Sequence, residues 1–97
     1  METQMIELDN DDVIGYQIDL DHAPLLLIKA RKGYIMCGYL DMKTANKLGD
    51  IAGKVTKVKT FEDVLRAPIV ELSEKAKKKG FKIGMNASDF LNELTEE

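Results

Sequence analysis

The chain has one cysteine, one histidine, no tryptophan and two prolines in 97 residues. A lone cysteine, Cys37, excludes an internal disulfide. Together with the lone histidine, His22, it cannot supply the ligands of a usual Cys/His zinc site. No apolar run approaches the ~20 residues that a membrane helix needs. The opening METQMIELDNDD has neither the basic start nor the apolar core of a secretory signal. These absences lead us to expect a soluble protein of the reducing cytoplasm. No internal repeat, low-complexity tract or linker divides the chain, so residues 1–97 are expected to form a single domain.

Motifs for phosphate or metal are missing as well. Gly80-Phe81-Lys82-Ile83-Gly84 does not follow the GxxxxGK[ST] pattern, and no EF-hand spacing occurs among the turn aspartates. No cofactor is therefore expected. Basic residues are absent from residues 1–22, which hold seven acids: Glu2, Glu7, Asp9, Asp11, Asp12, Asp19 and Asp21. All 14 Lys and Arg residues lie within 23–86. Such segregation suits either a nucleic-acid face or acidic and basic surfaces that meet within or between copies. A pI near 5.2 disfavours a general nucleic-acid binder. The run Lys75, Lys77, Lys78, Lys79 fits the last turn of a short helix, where cations offset the macrodipole.

What is present is a change of period near residue 41. Residues 3–9, 13–20, 25–31 and 34–40 read as four strands joined by short turns, an antiparallel meander. In the second of them Ile14, Tyr16, Ile18 and Leu20 alternate with Val13, Gly15, Gln17 and Asp19. From Met42, Ala45, Leu48, Ile51, Ala52 and Val55 fall at helical spacing, so Asp41 is expected to cap one helix reaching about Val55. Gly49 and Gly53 each cost such a helix about 1 kcal/mol, and the alternative ends it at Gly53 and leaves residues 55–58 extended. Thr60 is expected to cap a helix over 61–66, with Asp63 completing a partial capping box. Residues 69–72 suit a short fifth strand. Ser73 begins a helix over 74–79 closed by Gly80, and Asn86 caps a last helix over 87–94 with Phe90, Leu91 and Leu94 on its buried face. Thr95-Glu96-Glu97 reads as a frayed tail. The fold class is α+β: a four-stranded antiparallel N-terminal sheet, then a helix-rich half with one further strand.

The segments PLLLIKARKGYIMCGYLDMKTANKLGD and KVKTFEDVLRAPIVELSEKAKKKGFKIGM resemble the YunC-like family of uncharacterised bacterial and archaeal proteins. The most specific pieces are Met36-Cys37-Gly38-Tyr39-Leu40, Lys47-Leu48-Gly49-Asp50, Lys59-Thr60-Phe61-Glu62-Asp63 and Gly84-Met85. The resemblance implies tetramers formed through the N-terminal β-sheet, and it implies no activity, substrate or cofactor. The family pattern often has Ala at the position of Gly53, which fits a continuous first helix, and often Gly at that of Ala87.

Cys37 and His22 are the candidates for chemistry. If Lys32-Gly33 is a two-residue turn, Ala30 pairs Ile35, Ile28 pairs Cys37 and Leu26 pairs Tyr39, which puts Cys37 in an uncharged layer where a thiol is inert. A three-residue turn ending at Gly33 reverses the facing and sets Cys37 beside Lys29. In an enzyme, Cys37 would be the nucleophile, assisted by His22 or a tyrosine, at a site between subunits or beside the fourth strand. A third class is a ligand-binding module with an anion near Asn86. The leading expectation is a homo-oligomer, tetrameric by resemblance, meeting through Ile6, Leu8, Ile14, Tyr16 and Ile18.

Overall fold

The computed structural model describes residues 1–9 and 11–95. Expectations for Asn10, Glu96 and Glu97 lie outside the described residues. One six-stranded sheet runs in chain order: β1 (Glu2–Glu7), β2 (Asp12–Asp19), β3 (Pro24–Lys29), β4 (Tyr34–Met36), β5 (Ala52–Lys54) and β6 (Glu71–Leu72). The first four strands form the expected antiparallel meander. β5 then pairs parallel to β4, and β6 pairs antiparallel to β5. The α+β class holds, with six strands in place of four plus one.

The added strand comes from the segment expected to continue the first helix. Helix α1 (Met42–Leu48) is capped by Asp41, whose carboxylate accepts the Lys43 N–H, but it stops at Gly49, which adopts φ 78°. A left-handed residue at this position ends a helix, and glycine takes it without steric cost. Leu48 is 70% exposed, so the apolar spacing that suggested one long helix was never one buried face. Ala52 and Gly53 instead lie buried in β5. Gly53 lets Ile35 and Ile69 approach, since a Cβ there would sit 3.1 Å from Ile35 Cδ1 and 3.2 Å from Ile69 Cδ1.

The remaining helices follow their local signals. In α2 (Phe61–Arg66), Thr60 accepts the Asp63 N–H while Asp63 accepts the Lys59 N–H. In α3 (Glu74–Lys78), Ser73 is the N-cap, and its buried hydroxyl oxygen accepts from both Ala76 and Ala52 N–H groups. That side chain fastens α3 to the start of β5. In α4 (Ala87–Thr95), Phe90, Leu91 and Leu94 are buried as expected, and the helix extends through Thr95, one residue into the expected tail.

One face of the sheet is covered by α2 and α4. Ile6, Val13, Leu26, Ile28 and Ile35 pack there with Val64, Ile69, Phe90 and Leu91. On the opposite face, among the described residues, α1 provides the cover, with Met42 and Ala45 against Met36 and Ala52.

The parallel contact of β4 with β5 is locked at its entrance. Tyr34 N–H donates to the Ile51 carbonyl, and Tyr34 Oη donates to Asp50 Oδ2 at 2.6 Å. Gly33 makes the approach feasible, because a Cβ there would lie 2.3 Å from the Ile51 carbonyl oxygen. Relieving such an overlap by backbone shift would cost about 1–3 kcal/mol.

Burial first, then the hydrogen bond to and charge of Asp50, push the Tyr34 phenol up to about 12. The group is neutral when protonated, and its folded value lies above that of the unfolded chain. Its contribution to stability is therefore complete below the unfolded value near 10 and is lost as pH rises through about 12. Phenolate absorbance against pH is expected to show one of the three tyrosines ionising late, and Tyr34→Phe is expected to remove that late step.

Candidate functional site

The ends of β4 and β5 build a cleft. Because the two strands are parallel, their carboxyl ends lie together. The chain leaves β4 as Cys37-Gly38-Tyr39 and leaves β5 toward Lys57-Val58-Lys59. These two segments, with Ala23 and Pro24 at the start of the antiparallel β3, line a cavity of about 460 Å³. That volume lies within the range of small-molecule sites. Val58, Pro24, Ala23 and Cys37 give it an apolar wall, while Tyr39, Lys57 and Lys59 bring polar groups.

Cys37 forms the buried edge of this cleft. It is 3% exposed. Its Sγ accepts the Leu26 N–H at 3.3 Å, and its own N–H donates to the Leu26 carbonyl at 3.2 Å. Cys37 therefore lies opposite Leu26, whereas a two-residue turn would place it opposite Ile28. The ladder closes at Lys29 with Tyr34, so residues 30–33 form a four-residue turn, with Ile28 opposite Ile35. The register is displaced by two residues from the two-residue reading. An even displacement preserves facing, so Leu26, Ile28, Ala30, Ile35 and Cys37 all belong to the buried layer. Tyr39 leaves that layer and stands 50% exposed.

His22 is exposed in the bend before β3 and is not among the residues lining the cleft. Among the described residues, no group of three His, Cys, Asp or Glu side chains comes close enough to hold a metal ion. Asn86 is engaged as a cap: its Oδ1 accepts the Ser88 N–H, and its Nδ2 donates to the Arg66 carbonyl. Of the residues expected between subunits, Ile14, Tyr16 and Ile18 share the face away from α2 and α4, whereas Ile6 is buried beneath those helices and Leu8 packs against the same core.

The sequence reading missed Lys57 and Lys59. Lys57 has φ 60°, the one positive φ on a non-glycine among the described residues. The only sequence signal was the weak one that an extended segment follows Gly53.

The family model described as a domain of unknown function (DUF1805) matches residues 36–94, more than half of the chain. The chain belongs to that family. It is 28% identical over 90 residues to the uncharacterised protein YunC of Bacillus subtilis (strain 168), with 89% of each chain covered. It is also similar to the crystal structure of a protein of unknown function from Thermoplasma acidophilum, with 44% identity and a TM-score of 0.91. That likeness covers 96% of this chain and 91% of the other. No helix among the described residues is long and apolar enough to cross a membrane. Most of the cleft lining, Cys37-Gly38-Tyr39 and Lys57-Val58-Lys59, lies within the segment matched by the family model, whereas Ala23, Pro24 and the whole of β1–β3 precede it.

Two outcomes follow from this geometry. Cys37 in the native protein is expected to react slowly with an alkylating reagent and quickly after unfolding; equal rates in the two states would refute its burial. The left-handed conformation costs a non-glycine about 1–2 kcal/mol, and glycine's chain entropy offsets about 0.5–1 kcal/mol of the relief. Lys57→Gly is therefore expected to raise stability by about 0.5–1 kcal/mol in denaturant unfolding.

Proposed function

We propose that this chain works as a homo-oligomer assembled through the uncovered face of β1–β3. The observation that carries the reading is one apolar surface made by residues in register. Met5 pairs Ile14 and Tyr16 pairs Leu27 on the face away from α2 and α4, with Ile18 beside them in β2. Met5 is 66%, Ile14 40% and Ile18 38% exposed. Scattered exposed apolar side chains are ordinary, but a joined set on one sheet face marks an interaction surface.

The occupant is a second copy of the same face. A face of Met, Ile, Leu and Tyr, with Lys29 opposite Ile14 as its one basic residue in β3, is largely self-complementary in chemistry, and a two-fold axis brings it onto itself. A domain of this size gains from the added burial. The free edge of β1 is the weaker route, because it carries Glu2 and Glu7, and like charges opposed across strands are unfavourable. A tetramer is the state that the YunC-like resemblance implies. A free, buried thiol suits a reducing compartment, so we place the assembly in the cytoplasm.

Sedimentation is expected to show an oligomer at micromolar concentration. Ile14→Lys combined with Ile18→Lys should weaken self-association about a hundredfold or more while leaving the circular dichroism spectrum unchanged. A wild-type monomer at that concentration would contradict the reading.

A further inference from the structure

We propose that the cleft at the carboxyl ends of β4 and β5 binds a compact organic acid, an apolar body bearing one carboxylate or phosphate. Open sheets with parallel strands bind ligands in the crevice outside the carboxyl ends of those strands. Here β4 and β5 are joined through α1 as a strand–helix–strand unit, and both of their outgoing segments line the cavity.

The side chains define the ligand. Val58, Pro24 and Ala23 form a wall that suits an apolar body, and Tyr39 adds a half-exposed ring. Lys57 and Lys59 are the charged residues of the lining, and no carboxylate joins them there. Among the described residues neither ammonium has an ion-pair partner, whereas Arg31, Lys54 and Arg66 each have one. Two unpaired cations beside an apolar wall favour a ligand that carries both a body and a negative charge. Lys57 supplies a second, independent indication. Its left-handed backbone holds it at the ridge between this cleft and a neighbouring one lined by Thr56, Pro68 and Val70. Unfavourable backbone conformations concentrate at ligand sites.

Amide NMR titration tests the assignment, with benzoate and phenyl phosphate as the probes. Benzyl alcohol and inorganic phosphate serve as controls that lack the charge or the body. Saturable shifts are expected at Cys37, Gly38, Tyr39, Val58 and Lys59 with at least one probe, and the preferred probe distinguishes carboxylate from phosphate recognition. Lys57→Gly keeps the backbone conformation accessible while removing the ammonium. It and Lys59→Gln should each weaken binding by about tenfold, whereas Lys47→Gln on α1 should leave it unchanged. Absence of saturable shifts at these amides with both probes would overturn the proposal. So would unchanged affinity in both cleft variants, or either control binding as tightly as the probes.

Discussion

The parallel pairing of β4 with β5 is the constraint on which the rest of the molecule depends. It requires the 30–33 turn and the segment ahead of β5 to come closer than side chains normally allow. Gly33 against the Ile51 carbonyl permits that approach, and the Tyr34–Asp50 hydrogen bond holds it. Ser73 secures the far side by accepting the Ala52 N–H. Once β4 and β5 run in the same direction, their connection must cross the sheet, and α1 does so on the face opposite α2 and α4. The same pairing brings two chain exits to one end of the sheet, which creates the cleft.

This arrangement also explains the uneven cover of the sheet. The connection between β4 and β5 is short, and its single helix of seven residues shields only the neighbourhood of Met36 and Ala52. The outer face of β1–β3 is left with apolar side chains and no helix. The proposed assembly face lies in β1–β3, and the cleft is built mostly from the segment that the family model matches, with Ala23 and Pro24 of the earlier part closing one side. Cys37 links them structurally, since its sulfur receives the Leu26 N–H of β3 while its side chain borders the cleft.

Much of this was legible in local sequence. Asp41, Thr60 and Ser73 mark helix starts because a short polar side chain that caps its own helix acts over three residues. The alternation of β2 correctly grouped Ile14, Tyr16 and Ile18. What was hidden depends on contacts distant in sequence. The turn at 30–33 is fixed partly by Lys32 N–H donating to the Leu94 carbonyl, a partner some sixty positions away, so the hairpin register could not be read from its own residues. The facing of Cys37 survived because the displacement was even. β5 was mistaken for helix because Ala52 and Gly53 are small to fit beneath Ile35 and Ile69, and small residues carry little strand signal. Ile6 was grouped with the outer face because its partner in β2 was unknown; pairing with Val13 turns it inward.

Amide hydrogen exchange tests the central pairing most directly. The Tyr34 and Val55 N–H groups donate across the parallel junction, and the Ala52 N–H donates to Ser73. Strong protection at these three amides, lost together as denaturant is raised, is the predicted result. Exchange of Tyr34, Ala52 and Val55 as fast as in an open loop would contradict the parallel strand.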